Sequence, residues 1–396
     1  ATTIITDPIL VTPKDIAVDG LGDIFVVDSM RREVIRIDGT DQSSGILIGP
    51  EVLQIPIGIA ISPVHADLYI GDENTSTIWQ IPCRTRNMNS CEEYYGTALN
   101  ISLSTTVHPE GLEVDLDDHL YIADQNGHRV LKRDVTTGIL SVILDAGTMG
   151  EQAPDTPFGP HGIAIDPDTY DLFVTDVNND DIWVLTCAET SITGLSCGVY
   201  APLAIKLELE DDGSGIETPS GIEFDLQGNL YVTGMVNGIV ARYRGNSSIA
   251  MLPEGSLVSP VALGYDSSAT GKSIYISDDG NYLADGTQAL YELQCLTYTC
   301  IALTDDLIPN VAPNQCANTN VGETCDFICP PGYTSTNSSV TCTETGWDTF
   351  EVACVGPAGG DGGLITTASP SDSITPTVSV PAESVLCSEY ATNATT

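Results

Sequence analysis

The sequence predicts an all-β protein: a six-bladed β-propeller, then a small disulfide-rich β module, then a Ser/Thr/Pro-rich tail. Three observations lead there. A proline-led strand–turn–strand unit recurs from Pro13, Pro56, Pro109, Pro160, Pro219 and Pro260. After residue 308 that pattern gives way to dense cysteine, and from 357 Ser, Thr, Pro and Gly dominate. The expected boundaries are 1–308, 309–356 and 357–396.

The unit from Pro160 to Cys187, PHGIAIDPDTYDLFVTDVNNDDIWVLTC, shows why each piece is a strand. An apolar run, Gly162 to Asp166, meets a turn at Pro167 to Tyr170. An alternating run, Asp171 to Asp176, ends in an acid. A polar turn then leads to Ile182 to Thr186. Such a sheet is too small to bury both faces. Repeats starting 41 to 59 residues apart have room for four strands each. Strand-only repeats of that period stack radially as propeller blades. Ile4 to Leu10 is expected to complete the last blade, with Cys300 to Leu307 as the other candidate.

Composition narrows the function. The chain has 396 residues, 13 basic and 55 acidic, for a net charge of −42. That surface repels phosphate backbones and anionic membranes, which argues against nucleic-acid binding. It suits cation binding, a salty medium or plain solubility. No 18-residue apolar run is present, so no membrane span is expected within this stretch. The start at Ala1 reads as a mature or trimmed chain. The 12 cysteines are even in number. Sequons stand at Asn74, Asn100, Asn246, Asn337 and Asn393. Together these point to a secreted or cell-surface glycoprotein.

Three blades end their third strand in a cysteine and add a second soon after: Cys83 with Cys91, Cys187 with Cys197, Cys295 with Cys300. Each pair is expected to staple the third strand to the outer one. The acids closing the second strands are Asp28, Asp72, Asp124, Asp176 and Asp278, with Gly234 breaking the series. A ring of ligands is one reading; turn capping by strand-end Asp is the stronger one. Phe25, Tyr69, Tyr121, Phe173, Tyr231 and Tyr275 hold one position in every blade, as core wedges would.

Units such as PEGLEVDLDDHLYIAD resemble NHL repeats and the wider six-bladed propeller group, over residues 13 to 300. That group holds both enzymes and scaffolds, so the resemblance implies fold rather than function. Similar amidating lyases hold zinc by histidines after the blade-start proline, where only His161 stands here. Zinc needs three or four ligands. Calcium-dependent lactonases use acids and Asn about the axis, which makes Glu110, Asp124, His161 and Asn178 the metal candidates and calcium the possible cofactor. His65 and His119 read as turn residues away from the axis.

The run GETCDFICPPGY, followed by SSVTC, GW and Cys354, resembles the later two-thirds of a sushi (complement control) module. The resemblance implies Cys329 with Cys354 and a first family cysteine bonded to Cys342. Cys316 stands close for that role; Cys300 is better spaced but has Cys295 beside it. If Cys316 serves, Cys325 is left for Cys387; otherwise Cys316 and Cys325 pair locally. Sushi modules are binding and spacer units. The expected function is therefore non-catalytic: a structural or adhesive extracellular glycoprotein, self-associating or joined to other glycoproteins as a surface-fibre or matrix subunit. A calcium-dependent propeller hydrolase or lactonase is the alternative, and a ligand-binding receptor ectodomain a third reading.

Overall fold

In the computed structural model the chain divides into compact units, one containing Ala1–Cys295 and the other Leu296–Leu386. The structure describes residues 2–5 and 10–294, except 88–89, 95–97, 102, 104, 208–214, 227, 245–246, 253–254, 267–272 and 281–288. Beyond these it describes residues 299–300, 319–320, 324–326, 329, 334–335, 339–343, 346–348 and 354–355.

The first unit is a six-bladed propeller, each blade a four-stranded antiparallel sheet. The inner strands are Pro13–Val18, Pro56–Ile61, Pro109–Val114, Pro160–Ile165, Pro219–Phe224 and Pro260–Tyr265. Each packs on the next and the last returns to the first, closing a ring. The second strands bury almost every residue: Ile24–Asp28, Leu68–Asp72 and Leu120–Asp124 are buried throughout. Apolar clusters span neighbouring blades, as one joining Phe25 and Val27 to Ile59, Leu68 and Ile70 does. The radial stacking expected from the repeat supplies the burial that a lone sheet lacks.

The strand Thr2–Ile5 closes the ring, pairing with Ala289–Gln294 as the outer strand of blade 6. Of the two sequence candidates, the N-terminal one thus completes the last blade. Among the described residues, none after Gln294 joins a propeller sheet. Thr299–Cys300 pairs instead with Thr319–Asn320, within the unit Leu296–Leu386. The second unit also holds the sheet of Thr324–Asp326, Ser339–Thr343 and Gly346–Asp348, and a pair formed by Thr334–Ser335 and Cys354–Val355.

The blade cysteines correct one expectation. Cys83 bonds Cys91 and Cys187 bonds Cys197, but neither pair ties a third strand to an outer one. Each closes a two-stranded hairpin inserted between them: Cys83–Asn87 with Ser90–Tyr94, and Cys187–Thr190 with Cys197–Tyr200. The outer strands follow later, at Leu99–Ile101 and Ile205–Lys206. The hairpins lean on the preceding blade. Tyr94 meets Phe25 of blade 1 edge-on at 5.6 Å, and Tyr200 meets Tyr121 of blade 3 at 6.2 Å. Arg36 and Lys132, directly across the sheet from those aromatics, donate to the carbonyls of Cys91 and Cys197. Cys329 is disulfide-bonded. The pairing of Cys295 with Cys300, and of Cys316, Cys325, Cys342, Cys354 and Cys387, lies outside the described residues, as do Asn246, Asn337, Asn393 and the Ser/Thr/Pro tail. Asn74 and Asn100 are exposed.

Candidate functional site: an acid-lined axial cavity

The six inner strands share a spacing, and that spacing builds the site. At the second position stand Lys14, Ile57, Glu110, His161, Ser220 and Val261. At the third stand Asp15, then Gly58, Gly111, Gly162 and Gly221, then Ala262. The ladder slips between the proline and the residues that follow it in every blade. Such bulges re-aim side chains at barrel rims and sites. Glycine is needed here because neighbouring strands nearly touch: a Cβ on Gly111 would lie 2.1 Å from the carbonyl oxygen of His161.

At the fifth position Ala17, Ala60, Ala164 and Gly264 are small, whereas Glu113 and Glu223 are not. The result is a cavity of about 480 Å³ around the axis. Its polar lining includes Asp15, Glu110, Glu113, His161 and Glu223; its walls include Ile59, Leu112, Ile163 and Leu263. Asp15 bridges blades 1 and 2, accepting from the amides of Ile16 at 2.9 Å and Ile59 at 2.8 Å. Glu113 and Glu223 each accept from the next residue's amide, Val114 at 3.1 Å and Phe224 at 3.0 Å. Lys14 reaches Asp279 at 2.7 Å and seals the seam between blades 1 and 6.

Burial sets the protonation of this group. It lifts Asp15 to about 7 against the pull of the Ile59 and Ile16 amides. It lifts Glu110 to about 7, helped by the Glu73 charge. Glu113 rises to about 8, through burial and then the charges of Asp15 and Asp115. Glu223 is pushed well up by burial and by Glu113. His161 falls to about 4 through burial and the nearby Lys14 charge, so its ring is neutral at ordinary pH.

Of the sequence-derived metal candidates, Glu110 and His161 line the cavity. Asp124 is buried elsewhere, accepting from the amides of His108 and Gly127 and from Arg129 Nε. Asn178 donates to the carbonyl of Pro157. The other second-strand acids do the same structural work as Asp124. Asp28 accepts from the amides of Val11, Thr12 and Arg31, and Asp72 from those of Gln54, Ile55 and Thr75. Each acid ties the segment entering its blade to the turn leaving the second strand. Among the described residues, no three His, Cys, Asp or Glu side chains are grouped to hold a metal ion. His65 pairs with Asp118, and His119 lies 3.7 Å from Asp134, both off the axis. Asp15, Glu113 and Glu223 escaped the motif reading; aligning the inner strands exposes them, as acids where other blades carry Gly or Ala.

Residues 300–354 match the family model of the Sushi repeat (SCR repeat). No curated protein matches the chain. Solved structures match the propeller at low identity. A gluconolactonase from Xanthomonas campestris is 13% identical, with 73% of this chain and 88% of that one covered and a TM-score of 0.52. A luciferin-regenerating enzyme is 9% identical, with 73% and 92% covered and a TM-score of 0.51. A chain of the nidogen/laminin complex is 17% identical, with 68% and 88% covered and a TM-score of 0.48. These likenesses show the fold alone. The chain folds as a six-bladed β-propeller, followed by a stretch that matches the Sushi repeat. The Sushi match and the disulfides fit an extracellular protein. Among the described residues, no helix is long and apolar enough to cross a membrane.

Proposed function

We propose that this protein is a non-catalytic extracellular glycoprotein, a structural or adhesive subunit that associates with its own copies or with other glycoproteins in a surface fibre or matrix. The observation that carries this reading is the pairing of a Sushi match with a propeller whose disulfide-closed hairpins pack on neighbouring blades. Such a body presents a fixed surface, and preorganised surfaces lose little entropy on binding. The exposed sequons Asn74 and Asn100 and the net charge of −42 suit a soluble surface outside the cell. Sedimentation velocity of the secreted, glycosylated chain over a hundredfold concentration range tests it. Concentration-dependent growth beyond the monomer is expected; a monomer throughout, with no partner co-purifying, overturns it.

The second reading is a hydrolase working in the axial cavity. It is favoured by Glu110, raised to about 7, and neutral His161, which face one cavity and suit proton transfer near neutral pH. A gluconolactonase shares the fold. Lactone hydrolysis that disappears in Glu110→Gln would establish this reading over the first.

A further inference from the structure

We propose that a single water molecule is built into the seam between blade 1 and the Cys83–Cys91 hairpin, bridging the Asp19 carboxylate and the Tyr94 phenol. It does there what a tyrosine hydroxyl does in blade 3. This goes beyond the structural role above and stands or falls separately from it.

The propeller builds the same arrangement twice. Asp19 and Asp115 each follow the last residue of an inner strand, Val18 and Val114. Phe25 and Tyr121 are the second residues of the strands beside them, Ile24–Asp28 and Leu120–Asp124. Tyr94 and Tyr200 end the two disulfide hairpins. Both meet the ring of the preceding blade edge-on, at 5.6 and 6.2 Å. Each of those rings also lies beneath a cation, Arg36 or Lys132.

In blade 3 every polar member has a partner. Tyr121 donates its hydroxyl to Asp115 Oδ2 at 2.9 Å and accepts from the Tyr200 hydroxyl at 3.2 Å. Lys132 lies 3.7 Å from the same carboxylate oxygen. Blade 5 repeats the first of these bonds, Tyr231 to Asp225 Oδ2 at 3.1 Å.

In blade 1 the middle hydroxyl is gone, because the residue is Phe25. Arg36 turns to Asp23 instead, its Nε 2.8 Å from Oδ2. Asp19 spends Oδ1 on the amides of Leu21 and Asp23, at 2.9 and 3.0 Å. Its Oδ2 and the Tyr94 hydroxyl are both buried, without a hydrogen-bond partner among the described residues. Asp19 is 1% exposed and Tyr94 9%. They share one neighbourhood. Burial and then the Asp19 charge push the Tyr94 phenol upward. Burial lifts Asp19 to about 6, and the Cys91 amide of the same hairpin is among the groups that oppose the rise.

Buried polar atoms left unpaired are costly. Water can accept the Tyr94 hydrogen and give one of its own to Asp19 Oδ2, the two bonds that the Tyr121 hydroxyl makes in blade 3. Two polar groups are enough to hold a water, whereas a hard cation wants more oxygens. Blade 4 also carries a phenylalanine, Phe173, but its Asp166 is partly exposed and bulk solvent serves it.

The test is a structure of the whole glycosylated chain at a resolution that shows ordered water, at a pH well above the Asp19 value of about 6. It is determined for the natural sequence and for Phe25→Tyr. One water is expected between Asp19 Oδ2 and the Tyr94 hydroxyl of the natural protein. In Phe25→Tyr that water is expected to be gone, the new hydroxyl bonding both groups, and the melting temperature to hold or rise. Three results overturn the proposal. One is direct contact between Asp19 and Tyr94 with no water. Another is a water that stays unchanged in Phe25→Tyr. The third is a melting temperature lowered by several degrees in that variant, the mark of a seam already full.

Discussion

Single carboxyl groups have two opposite jobs in this protein. Asp28, Asp72, Asp124, Asp176 and Asp278 are buried and spend their oxygens on backbone amides. Replacing one strands several buried donors at once. Asp72→Ala is expected to cost about 2–4 kcal/mol, measured by chemical denaturation of the propeller. In Glu113, Glu223, Asp15 and Glu110 burial instead raises the affinity for the proton. In the unfolded chain they titrate near their ordinary values of 3.8 or 4.5. The fold thus binds their protons more tightly, and stability from this source is complete below pH 4. It is lost as pH rises through about 7 and 8, the folded values of Asp15 and Glu113. His161 works the other way: its contribution is present above 6.5 and lost as pH falls toward about 4. Melting temperature is therefore expected to decline from pH 6.5 to 9. Glu113→Gln is expected to flatten that decline and to add on the order of 2 kcal/mol at pH 9. An unchanged pH profile in this variant contradicts the assignment.

At the level of elements, each disulfide hairpin is a clamp between blades. The Cys83–Cys91 loop closes 8 residues, for which chain entropy gives roughly 2–3 kcal/mol. Its packing on Phe25 and its bond to Arg36 act on blade 1 as well. Cys91→Ala with Cys83→Ala is therefore expected to raise hydrogen exchange in Glu33–Ile37 as well as in the hairpin; faster exchange confined to the hairpin would contradict the clamp. Gly111→Ala is expected to cost about 2–3 kcal/mol by forcing blades 3 and 4 apart. The blade strands and their order were legible in the sequence because period-two patterning and proline-led turns recur with every blade. The hairpins were not, because Cys83 and Cys91 look the same whether they join two strands of a blade or close an insertion. What decides is Tyr94 finding Phe25 on another blade, a contact between residues far apart in sequence. The cavity acids were hidden for a similar reason: Glu113 is one acid among 55 until the ring places it opposite small residues.

At the scale of the whole molecule, the ring is closed by a few N-terminal residues, Thr2–Ile5 on Ala289–Gln294. Deleting them exposes an edge strand and opens the seam that Lys14 and Asp279 hold. A fall in melting temperature with a gain in aggregation is expected from light scattering on the truncated chain. The proposed use of the closed ring is assembly outside the cell. The most direct test is electron cryo-microscopy of the glycosylated protein taken from its native source. Regular polymers or a matrix in which propellers repeat at a fixed spacing are the expected result. Dispersed single propellers, with no ordered neighbour, would contradict the structural role and leave the axial cavity as the place to look for function.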